Sequence, residues 1–267
     1  MIMSDQKLAS IHMVRTGPRG DAPVVLVHPV GLDLTYWDRQ IEALRDTHDV
    51  VAYDLPGHGG TPGARADWTF DRAATMLSEI VMSLGQKGAH IVGISVGGMI
   101  AQVFALRYPT LVRSLALVGT AASFPNDARQ AMRDRADTAR LTGMSAVLPS
   151  TIERWFTPAF FANRPDVIDR VGKTLLSDDP AIHAAMWDMI SGLNVAGELS
   201  RISCPTLILV GDRDPSCPPA AARVLHEGIA GSQMEVLADA SHMSTLEQPV
   251  IINEHLSNFY ASLPRQR

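Results

Sequence analysis

The sequence has little of what marks secreted, membrane-spanning or nucleic-acid-binding proteins. Only two of its 267 residues are cysteine, which is too few for a disulfide framework and fits a reducing compartment. The 23 basic residues are outnumbered by 28 acidic ones, and a net charge of −5 argues against a nucleic-acid partner. No run approaches the roughly 20 apolar residues that span a bilayer, and Met1–Ser10 lack the apolar stretch of a signal peptide. We therefore expect a cytoplasmic protein that binds neither membranes nor nucleic acids.

The cysteines also argue against a metal site. Cys204 and Cys217 have no companion cysteine or histidine at the spacing of a zinc site. We therefore expect no bound metal. Apolar residues make up 46% of the chain and charged residues 19%, which is a globular composition, and 267 residues fit one domain around one core.

Short apolar runs alternate with longer helical patterns along most of the chain, and this alternation is typical of parallel βαβ units. The predicted strands are Val24–His28, Val50–Asp54, His90–Ile94, Ser114–Val118, Pro205–Val210 and Met234–Leu237, with an antiparallel edge strand near Ile11–Arg15. The predicted helices are Trp37–Arg45, Phe70–Leu84, Val96–Arg107, Pro219–Gly228 and Thr245–Ala261. These patterns predict an α/β fold with a mostly parallel sheet.

One long segment, residues 123–196, interrupts this alternation. It contains helical patterns only and is rich in Met, Trp, Phe and Arg. We predict that it forms a helical lid inserted into a core built from residues 1–122 and 197–267; a set of ordinary surface helices is the alternative.

The residues 93–97 read Gly-Ile-Ser-Val-Gly and follow an apolar strand directly before an apolar helix. This is the context of the G-x-S-x-G motif, in which a strained turn lifts the serine hydroxyl above the sheet. The flanking glycines remove Cβ atoms that would collide in so tight a turn. We therefore predict that Ser95 is a catalytic nucleophile.

A serine hydroxyl needs a neighbouring base, and the base needs a carboxylate that orients it. His242 follows the strand that ends near Leu237 and should lie in a loop above the sheet. Two carboxylates, Asp212 and Asp214, follow another buried-looking strand, and their spacing alone leaves both possible. Either would give the order serine, aspartate, histidine.

An oxyanion hole should complete the site. One donor is expected to be the N–H of Val96, the residue after the serine. The second should come from the loop after the first parallel strand, where Pro29 has no N–H and Val30 is the predicted donor. We expect His28 and His58 to orient the backbone of such loops through hydrogen bonds.

These segments together resemble the α/β-hydrolase superfamily along nearly the whole chain. The matching segments are His28–Gly31, Asp54–Gly59, Gly93–Gly98, Gly211–Asp214 and Ser241–His242. The resemblance implies a mostly parallel, eight-stranded sheet flanked by helices with an inserted helical lid. Because the family's acid follows a G-x-x-D pattern, it also implies that Asp214 is the third member of the triad.

Within the superfamily the sequence is most similar to the 3-oxoadipate enol-lactonase group. The similarity lies in Gly97–Gln102, Glu153–Pro158, Asp212–Pro219 and Glu247–Pro249, whereas Pro29 stands where most relatives carry glycine. The resemblance implies a carboxylic ester hydrolase, lactonase or esterase, that acts through an acyl-enzyme on a small molecule without a cofactor. We expect a monomer or a homodimer.

Three residues are predicted to bind the substrate. Arg133, one of several arginines of the predicted lid, could hold a substrate carboxylate, and its alternative is a solvated helix face. Trp155 and Trp37 could form walls of the pocket, and the alternative for both is core packing. Other functions remain open: a general carboxylesterase, a cofactor-free haloperoxidase or perhydrolase, or a non-catalytic ligand-binding protein on the same fold.

Overall fold

The computed structural model describes residues 10–20, 22–63 and 68–264 of the chain. Most of the amino-terminal segment in which we expect no signal peptide lies outside the described residues. No helix in the described ranges is long and apolar enough to cross a membrane.

The described residues form one seven-stranded sheet. The strands are β1 (Met13–Thr16), β2 (Val24–Val27), β3 (Val50–Tyr53), β4 (Ala89–Ile94), β5 (Val112–Val118), β6 (Thr206–Gly211) and β7 (Gln233–Leu237). Their order is β1-β3-β2-β4-β5-β6-β7, and only the β1–β3 pair is antiparallel. The described residues thus contain one strand fewer than the eight predicted, because their remaining segments form helices and loops.

Eleven α-helices flank or extend this sheet in the described residues. They are α1 (Asp38–Leu44), α2 (Phe70–Ser83), α3 (Val96–Arg107), α4 (Asn126–Thr142), α5 (Met144–Trp155), α6 (Pro158–Asn163), α7 (Pro165–Ser177), α8 (Pro180–Ser191), α9 (Pro219–Gly228), α10 (Ser244–Glu247) and α11 (Pro249–Ser262). Short 3₁₀ turns cover Leu34–Trp37, Pro109–Leu111 and Ala196–Arg201.

Both faces of the sheet are buried, as a parallel sheet requires. Along β2, Val25 and Val27 point into one hydrophobic cluster, whereas Val24 and Leu26 point into the other. The helix α3 is buried at every residue except its last, Arg107, which confirms the prediction of a central apolar helix.

Five helices, α4 to α8, are inserted between β5 and β6. The two ends of this insertion meet, because Ser123 forms an antiparallel bridge with Asn194 and the N–H of Val195 donates to the carbonyl of Ala122 at 2.9 Å. The insertion therefore leaves the core and returns to it at one point, close to the predicted limits of residues 123 and 196.

Candidate active site

The turn that carries Ser95 is strained and is built around two glycines. Ser95 has φ of 54°, in the left-handed region that costs an L-residue free energy. A Cβ on Gly93 would lie 2.4 Å from the carbonyl carbon of Gly97, and a Cβ on Gly97 would lie 2.1 Å from the oxygen of Val27. Because no side chain fits at either position, this sequence can form the turn only with glycine there.

Two further hydrogen bonds fix the turn. The N–H of Ser95 donates to the carbonyl of Val118 at 3.0 Å, and the hydroxyl of Thr120 donates to the carbonyl of Ser95 at 2.8 Å. Val118 is the last residue of β5 and Thr120 lies two residues beyond it, so the serine is tied to the neighbouring strand. Such a turn holds its side chain in one position.

Ser95, His242 and Asp214 lie in one chain of contacts. The Nε2 atom of His242 is 3.1 Å from the Oγ of Ser95, and its Nδ1 is 2.9 Å from the Oδ2 of Asp214. Their relative exposures are 7%, 3% and 3%, so the three polar groups face one another in a nearly dry environment. The structure thus brings together three residues that lie far apart in the sequence.

The structure also separates the two aspartates that spacing left open. The Oδ1 of Asp214 accepts hydrogen bonds from the N–H groups of Ser216 and Cys217 at 2.8 and 2.9 Å, which leaves Oδ2 for the histidine. Asp212 is exposed, and its Oδ1 accepts from the N–H of Ala240 at 3.3 Å. Asp212 therefore supports the loop that leads to the histidine and does not contact the histidine ring.

A carboxylate that the sequence analysis assigned no role holds the histidine loop. One oxygen of Glu247 accepts from the N–H of Ser241, and the other accepts from the N–H of Thr157 at 2.7 Å. The N–H of Met243 donates to the carbonyl of Trp155 at 3.0 Å. The residues on both sides of His242 are therefore connected to the inserted segment, Met243 directly and Ser241 through Glu247.

The predicted oxyanion donors lie at the same edge of the sheet. Val96 is the first residue of α3, where backbone N–H groups point out of the helix end. Val30 follows β2, whose carboxyl end lies beside that of β4. Both residues are buried, with exposures of 2% for Val30 and 0% for Val96.

Two neutral histidines shape the Val30 loop, as predicted. Burial lowers the pKa of His28 to about 3, and also lowers the pKa of His58. The Nε2 of His28 accepts from the N–H of Leu55 at 2.9 Å, so its Nδ1–H donates to the carbonyl of Pro29 at 2.7 Å. The Nε2 of His58 accepts from the N–H of Gly31 at 3.2 Å. The loop is thus held on both sides of Val30.

In the described ranges, no hydrogen bond, ion pair or ring contact joins the side chain of Trp37, Trp155 or Arg133 to the proposed triad. The backbone carbonyl of Trp155 nevertheless accepts from the N–H of Met243, the residue after His242. Trp37 is fully buried and packs edge-to-face against Tyr36, with 5.2 Å between ring centroids. Trp155 is 2% exposed and belongs to the hydrophobic core. Arg133 is exposed on α4 and donates to the Oε1 of Gln130. The structure thus favours core packing for both tryptophans and a solvated helix face for Arg133.

A second buried polar group adjoins the Val30 loop from the insertion. The Nδ1 of His183 is 3.1 Å from the Oδ2 of Asp178, and the indole N–H of Trp187 donates to the Nε2 of His183 at 2.9 Å. A Cβ on Gly31 would lie 3.3 Å from the ring of His183 and 3.5 Å from Asp178. The sequence gives no local signal for this group, because its members come together only once the insertion folds onto the loop.

Comparison with known proteins shows the family of this chain. The chain belongs to the alpha/beta hydrolase fold family, whose model matches residues 22–249. It is 30% identical over 236 residues to 3-oxoadipate enol-lactonase 2 of Acinetobacter baylyi, covering 88% of this chain and 87% of that relative.

Two solved structures are similar over nearly their whole length. The enol-lactonase from Burkholderia xenovorans LB400 has a TM-score of 0.90 and 28% identity, covering 94% of this chain and 96% of that chain. A thermophilic esterase from Thermogutta terrifontis, solved with malate bound, has a TM-score of 0.88 and 30% identity, covering 95% and 93%. The fold and the family are therefore those of hydrolases.

Proposed function

We propose that this chain is a serine hydrolase that opens a carboxylic ester or lactone through an acyl-enzyme. The observation that carries the proposal is the buried chain of contacts from Asp214 through His242 to Ser95. This order gives a nucleophile, a base and a group that orients the base. A non-catalytic binding protein would not need these three groups aligned at hydrogen-bonding distance.

The first step follows from the two sides of the imidazole. Asp214 accepts from the Nδ1–H of His242, which leaves the Nε2 lone pair facing the hydroxyl of Ser95. As the Ser95 Oγ attacks the substrate carbonyl, its proton passes to Nε2, and the imidazolium formed is stabilised by the Asp214 carboxylate. The N–H groups of Val30 and Val96 then bind the oxyanion, each contributing roughly 3–4 kcal/mol.

The remaining steps reuse the same groups. His242 returns its proton to the leaving oxygen as the ester C–O bond breaks, and the acyl group stays on Ser95. A water molecule then gives a proton to His242 and attacks the acyl carbonyl. As the second tetrahedral intermediate collapses, the bond between the acyl carbon and the Ser95 Oγ breaks, His242 returns the proton to that Oγ, and the acid is released.

We also propose that residues 123–196 act as the lid predicted from the sequence. The support is the burial of the triad together with the bonds from Thr157 and Trp155 to the loop around His242. Excluding water in this way strengthens the electrostatic interactions within the site.

The favoured substrate is 3-oxoadipate enol-lactone, because curated and structural relatives named enol-lactonases match nearly the whole chain. A general carboxylesterase is the second candidate, since the Thermogutta esterase is equally similar in sequence. The predicted haloperoxidase or perhydrolase activity would use the same triad.

The experiment is ultraviolet-monitored hydrolysis of 3-oxoadipate enol-lactone beside p-nitrophenyl acetate, with wild-type protein and Ser95→Ala. We expect Ser95→Ala to lose turnover on both substrates while it keeps the circular dichroism spectrum and melting temperature of the wild type. A fluorophosphonate should label Ser95 in the wild type. An active Ser95→Ala protein would refute the mechanism. Wild-type activity on p-nitrophenyl acetate alone would refute the enol-lactone as the substrate.

A further inference from the structure

The N–H of Val30, one of the two proposed oxyanion donors, is buried and has no partner. Val30 is 2% exposed, and within the described ranges its N–H donates to no acceptor. A buried N–H without a partner is rare in folded proteins, because it costs free energy. Such a donor stabilises an oxyanion only when it is held about 3 Å from that oxygen. The residues that hold this loop therefore decide whether the donor is useful.

On the core side, His58 holds the residue that follows the donor. The N–H of Gly31 donates to the Nε2 of His58 at 3.2 Å. Because Nε2 is the acceptor, the ring proton is on Nδ1, which donates to the carbonyl of Pro56 at 3.3 Å. The orientation of this one ring therefore fixes the direction of the peptide that follows Val30.

On the other side, the insertion packs directly against the same glycine. Gly31 has φ of 78°, a conformation that favours glycine. A Cβ at this position would lie 2.5 Å from the Cδ1 of Leu175 and 3.3 Å from the ring of His183. Two side chains of the insertion thus occupy the space that any larger residue would need, and the loop is enclosed between them and His58.

A carboxylate of the insertion also reaches His58. The Oδ2 of Asp178 lies 3.6 Å from the Nε2 of His58 and 3.1 Å from the Nδ1 of His183. The indole N–H of Trp187 donates to the other nitrogen of His183 at 2.9 Å, so the His183 proton is on Nδ1 and is donated to Asp178. The insertion therefore orients this carboxylate itself and presents it to His58. We call Leu175, Asp178 and His183 the loop clamp.

The same part of the insertion packs on the loop that carries His58. A Cβ on Gly57 would lie 2.5 Å from the Cδ1 of Ile182, and a Cβ on Gly63 would lie 2.1 Å from the same atom. Ile182 is 5% exposed and follows the clamp aspartate by one turn of α8. The insertion thus contacts both the loop of Val30 and the loop of His58, and it fixes the two relative to each other.

We propose that the loop clamp positions the oxyanion donor Val30. The packing of its leucine and histidine acts through Gly31, and its carboxylate acts through His58. This inference rests on the proposed hydrolase function. A misplacement of about 1 Å at a reacting centre can cost about 100-fold in rate, so contacts outside the reacting groups can govern turnover. The oxyanion hole is then complete only while the insertion is packed against the core.

The test measures hydrolysis of p-nitrophenyl acetate by Asp178→Ala and its inhibition by 1,1,1-trifluoropentan-2-one, whose adduct with Ser95 carries an oxyanion. We expect kcat to fall roughly 10- to 100-fold while KM changes less than about threefold, because the donor acts on the transition state. The inhibition constant of the ketone should rise by a factor similar to the loss in kcat/KM. Asp178→Asn should retain most of the activity, since its amide oxygen can accept from His183.

A double-mutant cycle with His58→Ala shows whether Asp178 acts through that ring. His58→Ala should itself lower kcat/KM. Adding Asp178→Ala should then cost less than about threefold more, because the connection to Gly31 is already lost. If the two losses multiplied, the aspartate would act independently of His58, and the inference would be overturned.

Asp179→Asn is the matched control, because it removes the adjacent negative charge and keeps the oxygen that accepts from the N–H of Ala181 at the start of α8. Asp179 is exposed, so kcat/KM and the inhibition constant should stay within about twofold of the wild type. A folded Asp178→Ala variant with wild-type values for both would overturn the inference, since a purely structural role would change only the melting temperature.

Leu175→Val replaces Asp178→Ala if that variant does not fold. It shortens the side chain that packs on Gly31 and should lower kcat/KM about 3- to 10-fold. Leu176→Val, exposed at the next position of α7, is its control and should leave kcat/KM unchanged. Equal values for these two folded variants would also overturn the inference.

The outcomes separate this inference from the function beneath it. If Asp178→Ala matches the wild type while Ser95→Ala is inactive, the loop clamp is refuted and the hydrolase stands. If the wild type does not hydrolyse p-nitrophenyl acetate and a fluorophosphonate does not label Ser95, the proposed function fails and the inference fails with it.

Discussion

Asp178 is a buried carboxylate whose ionisation should oppose folding at neutral pH. Its side chain is 6% exposed, and its Oδ2 lies 3.1 Å from the Nδ1 of His183 and 3.6 Å from the Nε2 of His58. Burial lowers the pKa of both histidines, so neither supplies a full positive charge near neutral pH. Burial raises the pKa of Asp178 to about 6, from an ordinary value of 3.8; His58 opposes this shift, and the negative charges of Asp33 and Asp179 add to it.

The pKa of Asp178 is higher in the folded protein than in the unfolded chain, and this difference sets how stability changes with pH. Between about pH 4 and pH 6 the folded protein holds the Asp178 proton more tightly than the unfolded chain does, so the free energy of unfolding falls as the pH rises through this window. A pKa shift of about two units corresponds to about 3 kcal/mol of the free energy of unfolding. Relative to low pH, where Asp178 is protonated in both states, the folded protein loses about half of this at pH 5 and all of it at pH 8. Asp178→Asn removes the titration and keeps an oxygen that can accept from His183.

The assay is urea unfolding of the wild type and Asp178→Asn at pH 5 and pH 8. We expect the stability advantage of Asp178→Asn to be greater at pH 8 than at pH 5 by about 1–1.5 kcal/mol. Asp169→Asn is the control, because Asp169 is exposed on α7, and its effect should not change between the two pH values. If the difference in the free energy of unfolding between Asp178→Asn and the wild type did not change with pH, a protonated His58 or His183 would be compensating the charge of Asp178. That result would refute the reasoning.

Two further predictions concern the catalytic turn and the acid. Asp214→Asn should lower kcat roughly 10³- to 10⁴-fold, because the amide cannot stabilise the imidazolium of His242. Asp212→Asn is the control and should change the same hydrolysis rate by less than about threefold. Equal losses in both variants would contradict the assignment of Asp214. Gly97→Ala should lower the free energy of unfolding by about 3 kcal/mol or more, since its Cβ would lie 2.1 Å from a carbonyl oxygen. Gly197→Ala, which meets no atom within 4 Å, should melt within a few degrees of the wild type, and similar melting temperatures for the two alanine variants would refute this steric argument.

The sheet and the catalytic turn could be predicted because their determinants are local in the sequence. Each strand is a short apolar run bounded by turn residues, and the turn around Ser95 depends on glycines only two residues away. The ends of parallel strands meet at one edge of a sheet, so the positions of Ser95 and His242 followed from the strand order. The choice between Asp212 and Asp214 required either a family pattern or the tertiary structure, since both follow the same strand.

The inner surface of the insertion could not be predicted, and α4 shows why. Its fully buried residues are only Ala136 and Ala139, so the helix has no strong apolar face from which to orient it. Arg133 and Arg135 are two residues apart, about 200° around a helix, and therefore face nearly opposite directions. Composition indicates that the insertion is rich in arginine, but only the contact of Arg135 with the ring of Trp187 shows which of these two side chains packs against another helix.

The contacts of Glu247 connect the insertion to the loop that carries the proposed catalytic histidine. Its carboxylate joins the N–H of Thr157 in the insertion to the N–H of Ser241 beside the histidine. A movement of the insertion at Thr157 would break a charge-assisted bond and release the loop that positions His242. Any opening of the proposed lid should therefore leave Thr157 in place.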